Sequence, residues 1–271
     1  MQQHDRSELL GVPWDAASSF MRGPARAPAA IRAALASPHS NAWTELGVDV
    51  AALADAGDVA LANEHARGAE ARAAIEGAVD RRLVNGARPI VLGGDHSITY
   101  PVLRAVRRHA TRLTIVHFDA HPDLYDALDG DRWSHATPFA RAMEEGLADR
   151  LVQVGIRAAT GHQREQARRF GVETIDMRAW HAGARAAVDG PLYVSVDLDV
   201  LDPAFAPGVS HHEPGGLSTR ELLAALHALP PSIVACDVVE LNPDRDPSGV
   251  TAVVAAKVVK ELAGAMWPTS A

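Results

Sequence analysis

One cysteine, Cys236, is all that this 271-residue chain contains. A lone thiol closes no internal disulfide and builds no thiolate metal site, which excludes a disulfide-stapled scaffold and a cysteine-type zinc site. Cys236 falls inside the apolar run "SIVACDVVE" and reads as a buried, inert thiol rather than a nucleophile. Positive charge is also short. Twenty-six Lys and Arg face 34 Asp and Glu, a net charge of −8, which argues against nucleic acid or an anionic membrane surface as partner. No stretch approaches the roughly 18 apolar residues of a membrane-spanning helix, and "MQQHDRSELLGVPW" carries no basic-then-apolar leader. The expectation is a soluble, cytoplasmic protein.

What the chain does have is hydrophobic content, 47%, enough for a large core. Short apolar runs alternate with longer amphipathic segments rich in Ala and Arg. The runs predict strands over 8–12, 89–93, 113–118, 151–156, 172–176, 192–199 and 232–239. Helices are predicted at 65–86, 101–109, 137–147, 163–170, 219–228 and 248–264, with Ser218 and Glu221 spaced as a capping box. Alternation over the whole length predicts an α/β fold with a mostly parallel sheet covered by helices on both faces. No repeat, low-complexity segment or long linker divides it, so residues 1–271 are expected to form a single domain.

Polar clusters interrupt this pattern at the carboxyl ends of predicted strands. "PIVLGGDHS" places Asp95 and His96 after two glycines, and "IVHFDAHPD" places Asp119, His121 and Asp123 within five residues. "PLYVSVDLDVLDP" ends a strand in Asp197, Asp199 and Asp202, and "ACDVVELNP" ends one in Glu240. Alone, each has an ordinary reading: a helix-capping turn, a solvated loop, a strand-end surface carboxylate. In a parallel sheet, however, those ends share one edge, where open α/β folds bind ligands. Alternation would also put Asp197 and Asp199 on one strand face, where like charges repel unless a cation lies between them. His96, Asp119, His121, Asp123, Asp197 and Asp199 are too many ligands for one catalytic ion with an open position. They suit two ions sharing bridging carboxylates. Four carboxylates, two imidazoles and no sulfur favour a hard divalent ion, Mn²⁺ first, with Zn²⁺, Fe²⁺ and Co²⁺ as alternatives.

Taken together and in this order, "GGDHS", "DAHPD" and "SVDLDVLDP" resemble the three signature regions of the ureohydrolases, the arginase and agmatinase family. The likeness runs from "LLGVPWDAASSFMRGPARAPAAIR" to "DPSGVTAVVAAKVV". It implies the three-layer α/β arginase fold, two Mn²⁺ per subunit, a small guanidino substrate and assembly into homo-trimers or homo-hexamers. By that resemblance His96, Asp119, Asp123 and Asp197 hold one ion, and His121, Asp119, Asp197 and Asp199 the other. His135 in "WSHATPF" matches the proton-shuttling histidine, and Glu240 in "VELNP" the carboxylate that binds the guanidinium. Asp123 is a second proton-transfer candidate. Asp95, Ser195 and Asp202 match supporting positions, and His117, leading into Asp119, reads as support for it.

The sequence departs from the family pattern in three places. Ala136 stands for the usual glycine after the shuttle histidine. "APGVSHHEPGGLS" replaces a glycine- and threonine-rich loop, so His211 and His212 are expected at the substrate mouth. "LYDALDGDRWSH" lacks the Asn-Thr-Pro-type clamp with which arginases hold an amino-acid head, and carries Asp126, Asp129 and Asp131 instead. An acidic loop favours a cationic tail, so agmatine, cleaved to urea and putrescine, is the expected substrate. The alternatives are guanidinobutyrate, arginine or formimidoylglutamate, with Arg132 or Arg157 serving a carboxylate tail, and last a binding protein without turnover. His4, His39, His65, His109, His162, His181 and His227 read as surface or packing residues.

Overall fold

The computed structural model describes residues 6–61 and 68–267. His4, His65 and the first residues of the predicted 65–86 helix lie outside them. The strands are β1 (Arg6–Gly11), β2 (Ala54–Asp58), β3 (Ala87–Leu92), β4 (Thr114–Phe118), β5 (Arg150–Ile156), β6 (Glu173–Asp176), β7 (Leu192–Asp197) and β8 (Ile233–Val239). They form one sheet in the order β2-β1-β3-β8-β7-β4-β5-β6, and every pairing is parallel. The helices are α1 (Ala27–Leu35), α2 (Gly68–Val84), α3 (Thr99–His109), α4 (Pro138–Glu144), α5 (Gly161–Phe170), α6 (Met177–His181), α7 (Thr219–His227) and α8 (Val250–Met266). Two apolar clusters fill the two faces. Ile31, Leu192, Val196, Leu223 and Val259 belong to one, and Ile75, Val91, Leu103, Ile115 and Tyr193 to the other. This is the expected three-layer arrangement.

The helices start where the sequence signals them. Ser218 accepts from the backbone of Glu221, and the Glu221 side chain reaches back to Ser218, closing the predicted capping box of α7. Thr160 and Gln163 do the same for α5. Three elements carry no strong sequence signal. β2, "ADAGD", is a polar, largely exposed edge strand that exists by pairing with β1. α1 opens on Ala27-Pro28, where proline's missing N–H costs nothing. α6 is one turn capped by Asp176. Among the described residues no helix is long and apolar enough to cross a membrane.

The strand order decides where the chemistry falls. The polar clusters follow β3, β4, β7 and β8, the four central neighbours of the sheet. Residues more than 140 positions apart in the chain, His96 and Glu240, meet in a hydrogen bond at that edge.

Candidate active site

β3 ends at Leu92, and the chain passes through Gly93 and Gly94 because nothing larger fits. A Cβ on Gly94 would lie 1.6 Å from the Trp14 carbonyl oxygen, and one on Gly93 2.5 Å from the Val239 side chain. Beyond them Asp95 caps the turn, accepting from the backbone N–H and hydroxyl of Ser97. It also accepts from Ala17 N–H and the Ser18 hydroxyl, so it fastens the 15–19 segment over the site. Burial, helped by the charge of Glu240, pushes its pKa up to about 6.

His96 then points into the cluster. Its Nδ1 lies 3.2 Å from Asp119, 3.0 Å from Asp123 and 3.2 Å from Asp197, yet it makes no hydrogen bond. A fully buried nitrogen without a partner is costly. Three carboxylate oxygens converge on it, and the four groups together could hold a cation. His121 Nδ1 lies 3.0 Å from Asp199 and 3.4 Å from Asp119, and ligand atoms of these three lie within 4.8 Å of one another. His117 is as close to Asp119, but its Nε2 is engaged there at 2.7 Å and its Nδ1 faces Gln153. It supports Asp119 and has no free lone pair to offer an ion.

Asp197 and Asp199 do meet, but not by strand alternation. β7 stops at Asp197, and a single 3₁₀ turn, Leu198–Val200, brings Asp199 round so that its N–H donates to Asp197 at 2.8 Å. The 192–199 strand is therefore two residues shorter than its apolar run. Burial, then repulsion from Asp199 and Asp119, raises Asp197 well above the carboxylate range. Burial also raises Asp199, although His121 opposes it. Such a cluster asks for compensating positive charge. Four hard oxygen donors and two imidazoles fit a pair of hard divalent ions.

Glu240 and His135 face each other across the opening. The Glu240 carboxylate accepts from His96 N–H at 2.9 Å and lies 3.3 Å from His135 Nδ1. Ser19 Oγ lies 2.8 Å from His135 Nε2. Burial pulls the His135 pKa down, but the hydrogen bond and charge of Glu240 win and lift it to about 9. Asp123 and Glu240 both have positive φ, 50° and 65°, although neither is glycine. That conformation is strained for a carboxylate residue and tends to cluster where side chains must be aimed.

These groups line a cleft of about 210 Å³ that contains His121, Asp123, His135, Asp197, Asp199, Glu240, Ser19 and His211. His96 and Asp119 lie beneath its floor. Four larger hollows, of about 300 to 800 Å³, contain none of the carboxylates of the cluster. Size does not locate the site; charge does. His211 is part of the wall, its ring 5.2 Å from that of His135 and 6.0 Å from that of His121. His212 is not. It is exposed and donates to the Pro207 carbonyl. Three residues with no motif to announce them also belong here: Ser19, Gln153 and Asp237. The last two were detectable only as single polar residues inside apolar strands.

The acidic loop does not behave as expected. Asp126 accepts from Gln166 on α5, Asp129 sits in an exposed left-handed turn, and Asp131 accepts from the N–H of Trp133. None of the three borders the cleft. Nor do the alternative arginines: Arg132 pairs with Glu144, and Arg157 donates to the carbonyls of Gly155, Asp199, Val200, Leu201 and Glu213.

Residues 6–264 match the arginase family as a whole. The chain belongs to the arginase family. It is accordingly a hydrolase of C–N bonds in linear amidines. Arginase 1, mitochondrial, of Oryza sativa subsp. indica is 49% identical, over 94% of this chain and 79% of its own. Arginase 1, mitochondrial, of Arabidopsis thaliana is 47% identical, over 95% and 80%. The solved arginase from Medicago truncatula superposes with a TM-score of 0.90 at 44% identity, covering 97% of this chain and 88% of that one. These relatives overturn two expectations. Agmatine is displaced by arginine as the favoured substrate, and the electrostatic argument for agmatine fails physically because Asp126, Asp129 and Asp131 do not line the cleft. The cytoplasmic expectation is overturned too, since the rice and Arabidopsis relatives are named as mitochondrial proteins.

Proposed function

We propose that this arginase-family hydrolase is an arginase, cleaving L-arginine with water to urea and ornithine. The observation that carries the reading is the 44–49% identity, over nearly the whole chain, to proteins named as arginases. The cleft gives agmatine no advantage: Asp126, Asp129 and Asp131, on which a cationic tail was expected to rest, do not line it.

In this reading His96, Asp119, Asp123 and Asp197 hold one Mn²⁺, and His121, Asp119, Asp197 and Asp199 a second. Bound there, the pair supplies Lewis acidity and lowers the pKa of water. The chain's own groups do the rest. A guanidinium, cationic with a pKa of roughly 12.5–13.8, is held by the Glu240 carboxylate. Asp123, in both the cluster and the cleft wall, takes up the proton released in the attack on the guanidinium carbon. His135, with a pKa of about 9, is protonated at neutral pH. Its Nδ1–H, facing Glu240 and the cleft, gives a proton to the leaving amine, and the proton held by Asp123 returns His135 to its charged form. His211 borders the substrate chain. Subunits assemble as trimers or hexamers.

The test is urea release by Mn²⁺-loaded protein, with arginine, agmatine and guanidinobutyrate side by side. Arginine should give the highest kcat/KM by about tenfold or more, a preference of roughly 1.4 kcal/mol. A higher kcat/KM for either competitor overturns the assignment.

A further inference from the structure

Across four neighbouring strands one level of the sheet is polar. Gln153 of β5 is in register with His117 of β4, His117 with Ser195 of β7, and Ser195 with Asp237 of β8. Register partners project to the same face, and all four side chains are fully buried. The row crosses the central strands, whose buried residues are mostly apolar, directly under the carboxylate cluster. Four buried polar groups at one level are costly unless each is bonded.

Their bonds also fix where the protons are. Asp237 receives the hydroxyls of Thr99 and Ser195, each at 2.6 Å, and that of Tyr193. Tyr193 is held well above the usual phenol range by burial and then by the charge of Asp237, so it stays a donor. Ser195 has one hydrogen and gives it to Asp237. Its oxygen, 3.0 Å from His96 Nε2, can then only accept, so Nε2 carries the ring proton and the free lone pair of His96 is on Nδ1. That is the atom aimed at Asp119, Asp123 and Asp197. The other half of the row is equally determined. The Pro122 carbonyl only accepts, so the Gln153 amide group 2.7 Å from it is the NH₂. That same NH₂ donates to His117 Nδ1 at 3.0 Å. His117 Nε2 therefore carries the hydrogen and donates to Asp119.

We propose that this buried row is a positioning layer: Asp237 and Ser195 set the tautomer and ring angle of His96, while Gln153 and His117 orient the carboxylate of Asp119. The inference rests on the ligand set proposed above. Ligand orientation by such outer partners governs metal affinity as strongly as many direct contacts do. The row needs no substrate contact to act.

Mn²⁺ affinity tests it, read from the electron paramagnetic resonance signal of free Mn²⁺ during titration, with melting temperature recorded in parallel. Ser195→Ala, Asp237→Asn and Gln153→Met should each weaken binding about tenfold or more. The double variant Ser195→Ala/Asp237→Asn should lose no more affinity than the worse single one, because both break the same chain. Ser195→Thr, which keeps the hydroxyl, should restore wild-type affinity. Tyr193→Phe removes a bond to Asp237 but leaves the path to His96 intact; it should lower the melting temperature without moving Mn²⁺ affinity. Lower melting temperatures with unchanged affinity in Ser195→Ala and Gln153→Met would reduce the row to a structural role and overturn the proposal. His96→Ala separates the two levels of argument. If it too binds Mn²⁺ normally, the ligand set itself is wrong; if it alone loses metal, only the positioning layer fails.

Discussion

His135 Nδ1 lies 3.3 Å from the carboxylate of Glu240, a residue held in left-handed backbone at the end of β8. The Glu240 hydrogen bond and charge raise the His135 pKa to about 9 against the pull of burial. Glu240→Gln should therefore let that pKa fall, which NMR titration of the imidazole measures. The sign for stability follows. A raised pKa contributes stability that is complete below about 6.5, the unperturbed histidine value, and is lost as pH rises through about 9. The variant should lose that pH dependence. Turnover should fall by about two orders of magnitude with metal content unchanged. Near-normal urea release would place the guanidinium elsewhere.

In the proposed ligand set Asp119 and Asp197 would each serve both ions. Asp119→Asn and Asp197→Asn should leave less than two Mn²⁺ per subunit by elemental analysis, and activity should fall with metal content. Removing metal from the wild-type protein with a chelator should lower the melting temperature, since a ligand bound only to the folded state stabilises it. Two tightly held ions in both variants would sink the bridging assignment.

The two adjacent histidines of the 211–212 pair should separate cleanly. His211 packs within the cleft, against the rings of His135 and Phe20, whereas His212 is tied to Pro207 on the surface. His211→Ala should raise KM for the substrate by about fivefold, the value of one ordinary contact near 1 kcal/mol. His212→Ala should leave both kcat and KM unchanged. Steady-state kinetics on the two variants decides it, and equal effects would remove His211 from substrate binding.

Far from the cleft, the buried Glu261 of α8 anchors the loop before β2. It accepts from Glu45 N–H and pairs with Lys257 and His227. Burial alone would raise its pKa, but these donors together lower it. A depressed carboxylate contributes stability above its unfolded pKa of 4.5 and loses it as pH falls through the folded value. Glu261→Gln should thus cost about 1–3 kcal/mol at neutral pH and flatten the acid limb of the stability curve. Denaturant melts at pH 7 and pH 4 give both quantities. A variant as acid-sensitive as wild type would exclude Glu261 from that transition.

The chain announces its elements and its chemistry locally. Short apolar runs such as "LTIVHF" alternating with amphipathic segments predict buried parallel strands, and four polar clusters at their carboxyl ends point to one shared edge, so the parallel α/β class and the ligand candidates were legible in one dimension. β2 was not, because an exposed edge strand needs no apolar pattern and is defined by its neighbour β1. The strand order was not legible either, and it is the order that makes β3, β8, β7 and β4 adjacent and turns separate motifs into one site. Side-chain direction was likewise a tertiary decision. Asp126, Asp129 and Asp131 are acidic in the sequence, but loop geometry and α5 turn them from the cleft, while His211 enters it and His212 does not. Asp237 and Gln153 were the quietest of all, one polar residue apiece in an apolar strand. Their meaning comes only from register, which lines them up beneath His96 and Asp119 when the strands pair.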